Sequence, residues 1–314
     1  MATYNTSINR DTSDDPLVPT PVSAQIIQEL PKASATLAMS RIVPMSSKTS
    51  RQPVLSVLPT AYMVNGDTGL KQTSTQDWEN LELVAEEMAV IIPVPEAYLS
   101  DAQVPIWDEV RPRIVEAFGL KIDQMCIFGT GKPSTWGNAI VPTAVTAGNH
   151  VTAGDTNDIA QDVAETAKKV ALDGFAVNGF ASGPGFRWTL IGLRSAGSKE
   201  PIYAPPAGDQ PGTLYGFGLN EVLNGGWDDH TQLVAGDWSK SIVGLRQDIT
   251  FRLFTEGVIS DDSGNVLMNL MQQDSVALRA VMRLAYVTAN PITALNSNNA
   301  TRYPFAVLET LGAS

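Results

Sequence analysis

Apolar residues recur along this chain with two different rhythms, and each predicts its own kind of element. From Ile106 to Met125 the positions Ile106, Val110, Ile114, Phe118, Ile122 and Met125 are spaced by four, four, four, four and three, which lays one apolar stripe along a helix. Pro112 and Gly119 fall inside that span, so a kink or interruption is expected near them. A second helix is expected over Asp158 to Asp173. Ile159, Val163, Ala167 and Val170 share a face there, acidic residues stand at the start and Lys168 and Lys169 in the last turn, the charge order that a helix dipole favours. The β-like rhythm runs through Val54, Leu55, Val57, Leu58, Tyr62, Met63 and Val64, and again from Leu81 to Ile92. Asn65-Gly66-Asp67-Thr68-Gly69 between them has the chemistry of a hairpin tip. Ile242 to Phe254 reads as a strand and Val276 to Val287 as a strand or a short helix, before a final apolar segment at Phe305 to Leu308. These elements are interspersed without regular βαβ units, so the expected class is α+β.

Outside those segments the pattern breaks down in an informative way. Residues 1 to 50 carry Pro16, Pro19, Pro21, Pro31 and Pro44 with irregularly spaced apolar residues, leaving room only for a short helix near Ser23 to Leu30. Such an arm buries too little apolar surface to offset its ordering entropy, so it is either disordered or laid across something else. The hairpin from Gln52 to Asn80 has few apolar residues at core spacing after Tyr62. A two-stranded ribbon is marginal alone in water, and this one is expected to lean on its own domain or on a neighbour. Ala204 to Gly218 and Asn224 to Asp229 read as loops, and no internal repeat is visible.

Composition narrows the function. The length of 314 residues allows one large core or two modules. Only 17% of residues are charged, against roughly 25% in ordinary soluble domains. Either partners cover much of the surface or Ser, Thr, Asn and Gln make it polar without charge. A net charge of -12 with no basic run argues against binding nucleic acid by neutralising phosphates. One cysteine, Cys126, cannot support an internal disulfide framework, and Met125 and Ile127 beside it place its thiol in a core. With no signal-like start and no apolar stretch long enough to span a bilayer, the expectation is a soluble, intracellular protein without a membrane partner.

Candidate chemistry is thin. His150 and His230 each lie among Gly, Asp and Asn residues typical of surface loops, and His230 with Asp228 and Asp229 lacks a third metal ligand at a defined spacing. Gly129-Thr130-Gly131-Lys132 resembles a phosphate loop only in part, because Cys126 replaces the first glycine and Pro133 the hydroxyl residue. Ser182 lies in a glycine-rich run without the arrangement of a nucleophile elbow. The pairs Glu86-Glu87 and Asp261-Asp262 are common features of an acidic chain. Trp78, Trp107, Trp136, Trp188, Trp227 and Trp238 are scattered, as packing residues are. No catalytic, cofactor-binding or metal-binding residue is assigned, and the chain is not expected to be an enzyme.

Several phrases, in order, resemble the Hong Kong 97-like major capsid proteins of tailed bacteriophages. Leu17-Val18-Pro19 with Ile42-Val43-Pro44-Met45 is similar to that family's N-terminal arm. Ala61-Tyr62-Met63-Val64 through Leu81-Glu82-Leu83 is similar to its extended hairpin, the E-loop, and Val90-Ile91-Ile92-Pro93-Val94 to the strand leaving it. Ile127-Phe128-Gly129-Thr130-Gly131 resembles the phrase closing the spine helix. Gly236-Asp237-Trp238-Ser239-Lys240, Gly244-Leu245-Arg246, Gln273 to Ala280 with Arg283, and Asn290-Pro291 resemble its late signature. The resemblance implies an arm at 1–51, an E-loop at 52–82, a peripheral domain at 83–134 and 241–283, and an axial domain at 135–240 and 284–314. It also implies self-assembly through pentamers and hexamers into an icosahedral virion shell, built in the host cytoplasm around double-stranded DNA that is enclosed without specific binding.

The same resemblance implies a separate scaffolding protein, since the arm begins within about twenty residues of Met1, together with a portal protein and room for a decoration protein. Tyr62, Leu70, Lys71 and Trp78 become candidate contacts between subunits. Some relatives join a hairpin lysine to an asparagine with help from a buried glutamate. Lys71 stands near the right place, yet no unique Asn or Glu matches, so no such reaction is assigned. Two other readings stay open at this point: an encapsulin-type compartment shell, which shares the fold, and an acidic hydrolase with a site assembled from distant carboxylates.

Overall fold

The computed structural model describes residues 34–61, 63, 71, 73–102, 105–155, 158–193, 212–261 and 263–311. The expected helix near Ser23 to Leu30, the hairpin tip at Asn65 to Gly69 and the first part of the loop from Ala204 lie outside them. In chain order come α1 (Ala35–Met39), β1 (Arg41–Pro44), β2 (Thr49–Val57), β3 (Asp77–Val84), β4 (Glu86–Pro95), α2 (Glu96–Asp101) and α3 (Ile106–Asp123). Next are α4 (Ile140–Thr146), β5 (His150–Thr152), α5 (Ile159–Leu172), β6 (Gly179–Ser182), α6 (Phe186–Gly192), β7 (Thr213–Leu214), β8 (Phe217–Glu221) and β9 (Thr231–Gly236). The last are β10 (Ser241–Phe254), β11 (Val258–Ser260), β12 (Val266–Asn269), β13 (Ser275–Thr288) and β14 (Phe305–Glu309).

The long helix forms where the stripe predicts it, but its irregularity lies elsewhere. α3 runs through Pro112 and Gly119 without a break. Ile114 and Phe118 are buried against Leu278 and Ala280 of β13, with Val90 and Ile92 of β4 alongside, and that packing holds the helix across the amide that proline lacks. The departure comes after Asp123, where a π-turn spans Gln124–Phe128 and ends on Gly129 at φ +80, a left-handed conformation that glycine adopts without a Cβ penalty. α5 lies between Asp158 and Asp173, as the periodicity and end charges predict, with Val163 and Val170 fully buried.

Two sheets carry the rest. One has the order β1-β10-β13-β4, with β1 parallel to β10 and the other neighbours antiparallel. The other has the order β5-β14-β9-β6-β8-β7. Between them lies a cluster holding Cys126, Ile127, Trp238, Tyr286 and Phe305. Gly236 belongs to this packing because a Cβ there would run into the ring of Phe305. β2 and β3 form a two-stranded ribbon of their own. The β-like run Leu81 to Ile92 divides at Ala85: β3 stays with β2 while β4 turns into the first sheet. Leu83 and Ala85 are buried at that corner beside Val287 and Ala289, so burial at the corner fixes the bend. Val276 to Val287 is a strand throughout, as part of β13.

Candidate functional site

The residues that carry reactive groups do not converge. His150 corrects the expectation of a surface loop: it opens β5, half-buried and in register with Val307, and its Nδ1 is buried without a hydrogen-bond partner. His230 is exposed in a turn, its backbone N–H donating to Asp228 Oδ1 at 3.0 Å. Ser182 is fully buried at the end of β6 and its hydroxyl has no partner. Among the described residues no three His, Cys, Asp or Glu side chains gather as a metal site, and no helix is long and apolar enough to cross a membrane. A cavity of about 490 Å³ is lined by Leu81, Asn138, Thr143, Asn290, Arg302 and Tyr303 among others, with no carboxylate, histidine or cysteine on its wall.

The perturbed groups are structural. Burial pushes the Cys126 thiol well up, with the Asp123 charge adding to it. Burial likewise raises Tyr286 and pushes the Tyr303 phenol up to about 12. These groups stay protonated in the core, which suits packing and removes the thiolate a nucleophilic cysteine needs.

Three carboxylates among the described residues, Asp123, Asp162 and Asp173, are buried with no cation in hydrogen-bond contact, and the first and last of them tie distant segments together. Asp123, fully buried at the end of α3, accepts from Ser34 Oγ at 2.6 Å, from the amides of Ala35 and Thr36 at 3.1 and 2.9 Å, and from Asn224 Nδ2 at 2.6 Å. That one side chain fixes the point where the N-terminal segment meets the long helix and the loop after β8. Asp173 accepts from Asn149 Nδ2 at 2.7 Å, Asn296 Nδ2 at 2.7 Å and the Tyr303 amide at 3.0 Å, and so holds the segment leading into β14. Sequence reasoning missed both. The available signal was an aspartate set between the apolar stripe positions Ile122 and Met125, and another at the C-cap of α5.

The largest uncovered element is the ribbon. β2 and β3 pair only with each other, and every described residue from Thr73 to Asn80 is exposed. Trp78 is 59% exposed, and Lys71 is exposed. Tyr62 and Leu70 lie outside the described residues. Neither ribbon edge has a neighbouring strand, although the Leu55 carbonyl accepts from the Ile292 amide at 3.1 Å, and an open edge attracts another strand unless something covers it. Apolar residues are also exposed at the β11-β12 turn, where Val258, Val266 and Leu267 are 56%, 65% and 64% exposed.

Comparison with known proteins adds an independent line. The sequence profile of the phage capsid family matches residues 15–295. A "Major capsid protein" of Staphylococcus phage 80alpha is 28% identical over 263 residues, 83% of this chain and 78% of its own. A solved structure from Microbacterium phage Oxtober96 is 40% identical with a TM-score of 0.83, covering 94% of this chain and 96% of that one. Another from Mycobacterium phage Adephagia is 32% identical with a TM-score of 0.82, covering 94% and 95%.

Proposed function

The chain belongs to the phage capsid family and is a structural major capsid protein of Hong Kong 97-like fold, and on that premise we propose how its parts divide the building of a shell. Its place is the capsid of a virion, among many copies of itself. Residues 1–51 act as the arm and 52–82 as the hairpin that reaches a neighbour. Residues 83–134 with 241–283 form a peripheral domain, and 135–240 with 284–314 an axial domain. Copies close into rings of five and six through heterologous interfaces, and the rings close into an icosahedral shell. The observation that carries this reading is the β2-β3 ribbon, which has no third strand and leaves residues 77–80 with Trp78 exposed in the single chain and which a neighbouring copy would complete. Tyr62, Leu70, Lys71 and Trp78 are its contact residues.

A separate scaffolding protein, a portal protein and a decoration protein are the other partners, and assembly takes place in the host cytoplasm. The genome is enclosed without specific binding, because a charge of -12 on every copy repels phosphate. No catalytic step is required of any residue. Size-exclusion chromatography and electron microscopy of the assembled protein test the reading: closed particles of megadalton mass with five-fold and six-fold rings are expected. A protein that stays a two-fold dimer under every assembly condition would reject it, and empty shells that hold duplex DNA tightly at physiological salt would reject the account of the genome.

A further inference from the structure

Three Asn-Gly steps occur in the chain, Asn65-Gly66, Asn178-Gly179 and Asn224-Gly225, and the first lies outside the described residues. Such a step is open to internal attack, because a glycine without Cβ leaves its amide nitrogen unhindered beside the asparagine carboxamide. That nitrogen forms a bond to the asparagine Cγ, the bond from Cγ to Nδ2 breaks, and the glycine amide proton leaves with Nδ2 as ammonia. Water then opens the cyclic imide at either carbonyl, giving aspartate or the chain-lengthened isoaspartate. Water is the one co-reactant.

The two described steps are held by the same kind of lock. Asn178 donates from Nδ2 to Asp237 Oδ1 at 2.9 Å and accepts at Oδ1 from the Trp238 amide at 2.9 Å. Asn224, 7% exposed, donates from Nδ2 to Asp123 Oδ2 at 2.6 Å and accepts at Oδ1 from the Gly226 amide at 2.9 Å. Each carboxamide is bound at both ends, so turning its Cγ onto the next nitrogen breaks two hydrogen bonds, one of them to a carboxylate. The fold fixes the glycines as well. A Cβ on Gly179 would lie 2.8 Å from Met39 Cε, and Gly225 stands at φ +82, a conformation costly to other residues. The chain therefore carries labile steps at positions where it needs glycine.

We propose that Asn178-Gly179 and Asn224-Gly225 are deamidation sites that folding holds shut and unfolding opens, and that conversion at Asn224 keeps the arm segment from docking again. Among the described residues Asp123 has no cation in contact, and its other donors are Ser34 Oγ and the amides of Ala35 and Thr36. An aspartate at position 224 removes a donor and sets a second carboxylate against Asp123, and like charges sharing one buried site are strongly unfavourable. Isoaspartate also shifts the loop that carries the side chain. At Asn178 the same change is milder, because Lys240 Nζ lies 3.9 Å from Asp237 Oδ2. A copy that has stayed unfolded is thus chemically marked at the point that fastens residues 34–36 to the long helix.

Peptide mapping by mass spectrometry tests this on the purified full-length chain, kept warm at slightly alkaline pH in native buffer and, in parallel, in guanidinium chloride. In denaturant all three steps should convert at rates within a few fold of short synthetic peptides of the same sequences. In native buffer Asn178 and Asn224 should convert at least about tenfold more slowly, because their hydrogen bonds must break first. Equal rates in the two buffers overturn the lock, and so does an unfolded chain in which neither step converts. On dilution from denaturant, the fraction that refolds should fall in step with conversion at Asn224. A refolding yield independent of that conversion overturns the consequence. In Asn224→Asp, proteolysis at residues 35–39 should run several-fold faster than in wild type or in Asn178→Asp. An Asn224→Asp chain that does not fold beside an Asn178→Asp chain that does supports the same ranking. Two variants that fail alike, or an Asn224→Asp chain cut at the wild-type rate, overturn it.

Discussion

β10 and β13 pair antiparallel over strands of fourteen residues each, and β2 and β3 pair the same way over nine and eight. The two ribbons share local geometry and differ in what surrounds them. β1 closes one side of the long ribbon, β4 the other, and α3 covers a face, so that Leu278, Leu284, Ala285 and Tyr286 are almost fully buried. The short ribbon has no third strand, and from Asp77 to Asn80 its second strand is exposed on both faces. A ribbon becomes independently stable by burying apolar surface against a third element. One of these has that element along its length within the chain, and the other only at its base, where Leu81, Leu83 and Val54 meet Val287 and Ala289.

The sharpest way to break this contrast is to remove the short ribbon. Replacing residues 52–80 with a brief Gly-Ser link should abolish shell formation while the subunit keeps its secondary structure and a cooperative thermal transition. Circular dichroism and electron micrographs of the same preparation decide it, and a variant that fails to fold would place the ribbon in the core. Second in size is Leu278→Ala in the long ribbon, which leaves a cavity at a site 1% exposed and should lower the unfolding free energy by about 2–5 kcal/mol. Trp78→Ala in the short ribbon should change the isolated subunit by less than about 0.5 kcal/mol while impairing assembly. Urea titration of both variants compares the regions directly.

Alkaline pH sharpens the same comparison, because the long ribbon is anchored near buried phenols. The Tyr303 phenol is raised from 10.0 to about 12 in the fold. The stability linked to it is fully present below pH 10, where both states hold the proton. It falls as pH rises from 10 towards 12, where the unfolded chain has lost that proton and the folded one keeps it, a loss of about 3 kcal/mol in all. Tyr303→Phe should flatten this part of the stability profile. A more local effect is expected at the arm. Asp123→Asn replaces an all-acceptor group with one that also donates, facing four donors, and should cost about 1–3 kcal/mol. Proteolysis at residues 35–39 should accelerate before global unfolding does.

What could be read from the residues beforehand follows how local the determinants are. α5 was legible to its caps because Ile159, Val163 and Val170 share a face and its charges sit within one turn of its ends. α3 was legible for the same reason, whereas its proline suggested a break that the facing sheet prevents. The division at Ala85 was not legible: both sides are extended and apolar, and only the partner sheet separates them. Nor were the roles of Asp123 and Asp173, since their donors come from residues 34–36 and 224, and from 149, 296 and 303. The exposure of Trp78 was legible because its neighbours are polar and its strand lacks core spacing.

The parallel pairing of β1 with β10 joins Arg41 to Ile242, residues about 200 apart in the chain. A ribosome adding about 5–20 residues per second reaches the second partner some 10–40 s after the first. For that interval β1 emerges without the strand it belongs to, and the second sheet waits longer still, because β14 between β5 and β9 is made last. In chain order the second sheet is thus the last to close, and a chain cut short before Phe305 lacks one of its inner strands.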